Sequence, residues 1–392
     1  MREVVIVSAA RTPIGKFLGA LSGVPAHQLG ATAIKAAVER AGVKPESVEH
    51  VLMGNVLQAG QGQAPARQAL LGAGLPKSTG AVTLHKVCGS GLRTVMDAAN
   101  GIKAEEWTTV VAGGMENMSL SPHLMERSRG GYRMGDVKIS DSMIKDGLWD
   151  PYGDKHMGNC AEMCAEKYTF TREAQDAFAL ESYKRAQGAM EAGEFEAELA
   201  SVSVPQRKGD PIVVDKDEEP FGAPLDKMGK LRPAFDKNGT VTAANASKIN
   251  DGAAAMVLMS ADEAAAQGLK PLAKIVSYAS HAHEPDWFTT APVDAAKKAL
   301  DKAGLKASDI DLWEINEAFA VVTMASVKDL ELDESKVNVR GGAVALGHPI
   351  GCSGARILTT LLHALKAKGG KYGCASICIG GGDAAAMVVE AL

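Results

Sequence analysis

Ala33–Val51 reads AIKAAVERAGVKPESVEHV, and Ala295–Trp313, 262 positions further on, reads AAKKALDKAGLKASDIDLW. In the first stretch Ala33, Ala37 and Ala41 recur at helical spacing and predict a helix with one small apolar face laid on a sheet. The match extends outward in order. Ile6-Val7-Ser8 resembles Ile275-Val276-Ser277 at an offset of 269. Ser90-Gly91-Leu92-Arg93 resembles Ser353-Gly354-Ala355-Arg356 at 263, and Val110–Gly114 resembles Ile377–Gly381 at 267. Several matches in one order indicate a duplicated chain. β-branched runs alternate with Ala/Lys/Glu/Leu helical patterns in each half, so the fold class is α/β, with sheets covered by helices and two halves packed through a shared helical layer.

One further match breaks the offset. Ala253–Val257 resembles Ala384–Val388, only 131 residues away, so the first half holds about 130 extra residues. The expected organisation is residues 1–116 plus 250–270 as the first half, 117–249 as an insertion, and 271–392 as the second half. The insertion differs in texture: Met-, Arg- and Gly-rich between 125 and 135, acidic and helical between 171 and 193, and rich in Pro, Asp and Lys between 205 and 216.

The 392 residues exceed one ordinary domain, and 46% hydrophobic with 23% charged residues is a globular composition. Forty-two basic against 47 acidic residues give a net charge of −5, which argues against nucleic acid or a membrane surface as the main partner. Met1–Val7 reads as a first strand rather than a leader, and six cysteines without framework spacing suit free thiols in a reducing, cytoplasmic compartment.

Four segments have the look of a reactive site. Lys86-Val87-Cys88-Gly89-Ser90-Gly91 places a thiol at a strand-to-helix turn, where unpaired N–H groups and the helix dipole favour a thiolate. A buried structural cysteine in a Gly-rich turn is the plain alternative for that stretch alone. Asn316-Glu317-Ala318-Phe319 follows the strand-like run 312–315, and His348 lies in the Gly/Pro-rich turn Gly347–Gly351. Cys378-Ile379-Gly380-Gly381-Gly382 ends another strand with a second thiol. Together they supply a nucleophile, a base, a second thiol and backbone donors, the parts of covalent acyl chemistry.

These motifs, with Gly113-Gly114-Met115-Glu116-Asn117-Met118, closely resemble the thiolase family over essentially the whole chain. The resemblance implies two βαβαβαββ halves in an α-β-α-β-α layering, with a loop domain inserted in the first. It implies an acetyl-CoA C-acetyltransferase that condenses two acetyl-CoA molecules to acetoacetyl-CoA and CoA, with thiolysis as the reverse. CoA thioesters are then substrates, no cofactor or metal is expected, and the chain is a homodimer or homotetramer. By the same resemblance Cys88 carries the acetyl group, His348 takes its proton, and Cys378 is the acid/base at the second acetyl-CoA. Asn316 holds a water that shares one oxyanion hole with His348, while N–H groups matching Cys88 and Gly380 form the other. CoA and acyl contacts map onto Leu148, His156, Met157, Lys227, Leu231, Phe235, Ala243, Ser247, Phe288, Ala318 and Phe319, and Arg232 is a further candidate for the phosphates. Two departures stand out: Pro220-Phe221 replaces an arginine that contacts the nucleotide end in many relatives, and Phe288 is followed by Thr289 rather than proline.

Three rivals remain. A degradative 3-ketoacyl-CoA thiolase would use the same residues on longer chains, but His156-Met157 favours a short acyl group. A metal site would use His156, Cys160 and Cys164, spaced i, i+4, i+8 on one helical face, although only three ligands are present. A non-catalytic CoA- or lipid-binding protein is disfavoured by the full set of reactive residue types.

Overall fold

A computed structural model describes residues 2–392. Nine strands form its main sheet: β1 (Val4–Arg11), β2 (His50–Gly54), β3 (Gly80–Leu84), β4 (Thr109–Asn117), β5 (Asn250–Ser260), β6 (Ala273–Ala282), β7 (Leu312–Ile315), β8 (Tyr372–Ile379) and β9 (Asp383–Ala391), with a two-residue strand at Gly15–Lys16 beside β5. Ten α-helices accompany them: α1 (Ala26–Ala41), α2 (Pro65–Gly72), α3 (Ser90–Lys103), α4 (Met157–Tyr168), α5 (Arg172–Glu191), α6 (Ala261–Ala266), α7 (Ala291–Ala303), α8 (Ala320–Asp329), α9 (Ala343–Leu346) and α10 (Ile350–Lys368).

The strand order is β7-β8-β9-β6-β1-β5-β4-β2-β3, which is one half, β1-β5-β4-β2, beside its repeat, β6-β9-β8-β7. The halves meet where Val5 and Ile6 pair with Lys274 and Ala273. Duplication persists in detail. Helices α1 and α7 both stop at a left-handed glycine, Gly42 (φ 69°) and Gly304 (φ 67°). Strands β1 and β6 both bulge before a serine, and Ser8 and Ser277 each donate to a helix carbonyl, Ala37 O and Ala299 O, at 2.6 Å. In one respect the second half falls short of the expected repeat. Among the described residues no strand answers β3; the equivalent stretch makes a single bridge, Val337 to Trp313, because the chain there turns through Gly341-Gly342 into α9.

Five layers result. Helices α1 and α2 cover one outer face through Leu29, Ala33, Ile34, Leu70 and Val257, and α7 covers the other through Ala295, Ala299 and Trp313. Between the two parts of the sheet lie α3 and α10, mostly buried, with Leu92, Val95, Ile357 and Leu361 in one continuous core and a stripe of α3 (Arg93, Asp97, Asn100) reaching the surface. These two helices touch backbone to backbone. A Cβ on Gly354 would stand 2.4 Å from Leu92 N, and one on Gly91 would stand 2.7 Å from Ala355 N. The paired glycines of the repeat are there because the pseudo-twofold crossing leaves no room for a side chain.

From Asn117 the chain leaves the sheet and returns at Asn250. The excursion contains α4, α5 and a small ribbon (Val202–Val204 with Ile212–Val214). It is anchored by Arg11 at the end of β1. That guanidinium is fully buried and bonds Glu198 at 2.6 Å and Asp217 at 2.7 Å, so loss of either acid would leave a charge in the core.

Candidate active site

The N-terminal ends of α3 and α10 and the β8–β9 turn converge on one cavity of about 420 Å³. Cys88 sits in the turn before α3. Its neighbour Val87 has φ 44°, a left-handed conformation that is strained for a β-branched residue. Ser90 locks the turn: its Oγ accepts from Lys86 N at 2.8 Å and donates to Val87 O at 2.6 Å. Backbone N–H groups of Gly380 and of Cys88 itself are aimed at the Cys88 sulfur.

The expected resting thiolate is not what this environment supports. Burial of the sulfur pushes the Cys88 thiol up to about 12, more than the two N–H groups pull it down, and the carboxylate of Glu116 adds to the rise. Cys378, at the end of β8, is 1% exposed. Burial, and then the nearness of Cys88, hold its thiol well above the ordinary range.

His348 is held in a fixed orientation. Gly347 (φ 107°) lets the chain turn against Asn250, whose Oδ1 accepts from His348 N at 2.9 Å. The Ser353 hydroxyl donates its one proton to Pro349 O (2.9 Å), so its 2.5 Å contact with His348 Nδ1 makes Nδ1 the protonated ring nitrogen. Nε2 is left as a buried, unpartnered acceptor. Burial, assisted by the Arg356 charge, lowers the imidazole pKa to about 3, so the ring is neutral. Asn316 is fully buried, and neither atom of its side-chain amide has a partner, an arrangement that costs about 1–3 kcal/mol per group unless something polar fills it.

Of the sequence-derived contacts, Leu148, His156, Met157, Phe235, Ala243, Ser247, Phe288, Ala318 and Phe319 line the cavity together with Cys88, His348 and Gly380. Cys378 packs behind it against Met157, Phe288 and Phe319. Lys227 and Leu231 do not line it. Both lie on the surface, Leu231 with 38% exposure, because the turn Leu225–Lys230 buries Met228 instead. Arg232 is likewise exposed; Pro220 is buried and Phe221 exposed. The His156–Cys160–Cys164 face is not a ligand set. His156 Nδ1 caps α4 by accepting from Gly158 N, its ring stacks on Phe235, and both thiols pack in an apolar cluster with Val321. Two other groups of ligand type come together, His281/His283/Asp294 and Asp150/Cys160/Asp286. In each a lysine already provides the cation, Lys298 at His281 and Lys155 at Asp286.

Sequence reasoning overlooked several supporting residues. Glu116 accepts from Val56 N, Leu57 N, Asn55 Nδ2 and, across the halves, from Gly351 N at the start of α10. Burial raises its carboxyl to about 7. Glu317 is held by Ser182, Asn338 and Val344 N. An acid inside each of two otherwise uncharged, quoted motifs was the available signal. Lys248 also lines the cavity; its ammonium donates to Ala246 O and Val344 O, and burial lowers it to about 8. A second cavity of about 330 Å³, between α5 and α8, touches neither reactive cysteine.

The fold and this site define a thiolase. Residues 4–262 match the family model described as thiolase, N-terminal domain, and residues 269–391 match thiolase, C-terminal domain; the chain belongs to that family. Among its relatives is the acetyl-CoA acetyltransferase of Cupriavidus necator, 57% identical over the full length of both chains. The mitochondrial acetyl-CoA acetyltransferase of Homo sapiens is 53% identical, covering all of this chain and 91% of the relative. Among solved structures, a thiolase from Ascaris suum in complex with coenzyme A superposes with a TM-score of 0.95 at 45% identity, covering both chains in full.

Proposed function

We infer that this chain is an acetyl-CoA C-acetyltransferase, an acyltransferase that condenses two acetyl-CoA molecules through an acetyl-Cys88 intermediate and runs thiolysis in reverse. One observation carries the reading. The Cys88 sulfur faces two backbone N–H groups, with a neutral imidazole whose Nε2 is unpartnered and a second thiol beside it, at the end of an apolar cavity.

Both resting sulfurs are thiols, so attack and proton transfer occur together. Cys88 attacks the thioester carbonyl as its proton passes to His348 Nε2, and the oxyanion is met by the N–H groups of Cys88 and Gly380. The CoA sulfur leaves with the proton of Cys378. The Cys378 thiolate then removes a proton from the methyl of the second acetyl-CoA. His348 and a water on the Asn316 amide hold the enolate oxygen. The carbanion attacks acetyl-Cys88, whose sulfur leaves and recovers its proton from His348. Acetoacetyl-CoA and one CoA result, and every group ends as it began.

We assign most of the CoA wall to the insertion, residues 117–249, through Leu148, His156, Phe235, Ala243 and Ser247, with the exposed Lys227 and Leu231 assigned to the part of CoA that lies outside the cavity. Met157 and Phe288, 9% and 3% exposed, close the cavity beside Cys378 and favour an acetyl over a long acyl group, against the degradative alternative. Among the described residues no helix is long and apolar enough to cross a membrane. On the cysteine usage and the family resemblance we assign a cytoplasmic homodimer or homotetramer acting on CoA thioesters. Incubation with acetyl-CoA followed by peptide mass spectrometry tests the reading: one acetyl group is expected on the Cys88 peptide. Label on Cys378 instead would reverse the two roles, and no label would remove the acyl-enzyme.

A further inference from the structure

The turn that carries Cys88 and the turn that follows Cys378 come from different halves of the chain, and the oxyanion hole exists only where they meet. One N–H belongs to Cys88 in the turn before α3, the other to Gly380 in the β8–β9 turn. Hydrogen bonds of ordinary strength require the two donors to be placed within a few tenths of an ångström. The nucleophile turn is strained at Val87, and a strained turn holds its shape only when its surroundings over-determine it.

An ion pair sits across this junction. Lys86 Nζ, two residues before the nucleophile, meets Asp383 Oδ2, three residues after Gly380, although the two residues are 297 positions apart. Both side chains are about three-quarters buried. Each is also tied into its own turn. Lys86 N donates to Ser90 Oγ, the hydroxyl that locks Val87, and Asp383 Oδ1 accepts from Ala384 N at the start of β9. Among the described residues it is the one ion pair joining these two turns. Neither Lys86 nor Asp383 lines the cavity.

We propose that Lys86 and Asp383 are positioning residues: their ion pair clasps the nucleophile turn to the β8–β9 turn and sets the spacing of the Cys88 and Gly380 N–H donors. The inference rests on the acetyl-Cys88 reading and adds to it the device that assembles the oxyanion hole across the two halves. The pair acts on the acyl transition state, in which both donors are used, rather than on the hold on CoA, which lies along the insertion.

Rapid-quench mass spectrometry of Cys88 acetylation tests this in wild type, Lys86→Met, Asp383→Asn and the charge swap Lys86→Glu with Asp383→Lys, alongside KM for acetyl-CoA and thermal midpoints. Each single variant is expected to acetylate about tenfold more slowly with KM within twofold of wild type, and the swap is expected to recover at least half of the lost rate. Lys86→Arg, which keeps the charge, should stay near wild type. Single variants within twofold of the wild-type rate would overturn the clasp, as would a swap no faster than the singles, or a fall in thermal midpoint with KM and rate worsening together. Wild type that takes no acetyl group on Cys88 would sink the acyl-enzyme reading itself, whatever the variants do.

Discussion

Cys88 illustrates how one residue's surroundings set its chemistry. A thiol near 12 beside an imidazole near 3 does not form a stable ion pair. Alkylation reports the thiolate fraction, so the rate of Cys88 modification by iodoacetamide should climb about tenfold per pH unit from pH 7 to 10, with no plateau. A plateau below pH 8 would mean that a stable thiolate exists. The partner thiol admits a cleaner separation. Cys378→Ala leaves Cys88, His348 and both N–H donors in place but removes the proton donor to the leaving CoA sulfur, so the variant should still accept acetyl on Cys88, more slowly, yet fail to exchange the methyl protons of acetyl-CoA or to condense. Condensation near the wild-type rate would take Cys378 out of the mechanism.

At the scale of elements, α3 and α10 carry the burden, because their crossing places both Cys88 and His348. Gly354→Ala would put a methyl group 2.4 Å from Leu92 N, against backbone rather than a yielding side chain. Such overpacking costs about 1–3 kcal/mol, visible as a lower urea midpoint, and by parting the helices it should lower kcat as well. An unchanged midpoint would show that the crossing is looser than its glycines imply. Much of this was legible in the sequence: the AIKAAVERAG repeat marked α1 and α7, the Ser-Gly pair marked both central helices, and the four motifs marked the site. What stayed hidden depends on contacts between distant residues. Nothing local to Cys88 shows that burial outweighs its N–H donors. Lys248 looks like any polar connector residue until Ala246 and Val344 close around it. Lys227 and Leu231 match family positions, but only the fold shows that both are exposed and lie outside the cavity. The third strand of the second half shrank to one bridge because Gly341-Gly342 redirects the chain, which no run of strand-forming residues could foretell.

For the whole molecule, Lys248 joins the end of the insertion, at Ala246, to Val344 of the second half. Its native pKa of about 8 lies below the ordinary lysine value of 10.5. Between those values the unfolded chain binds more protons than the native one, so this residue makes stability rise with pH; below pH 8 its penalty is fully present. Urea midpoints of wild type and Lys248→Met, compared at pH 7.5 and 10, should show a smaller rise in the variant. Equal rises would mean that the lysine is solvated in the native state.

Asn117 and Asp251 face each other as partners in the β4–β5 ladder. The long excursion therefore starts and finishes at one doorway, already shut by sheet hydrogen bonds, and its contour length is almost decoupled from the chassis that does the chemistry. For a loop whose ends are pinned in this way, doubling the length adds only about 0.6 kcal/mol of closure entropy. The excursion can thus be lengthened, trimmed or exchanged while Cys88 and His348 keep their mutual distance, held by a crossing of helices through which the excursion never passes.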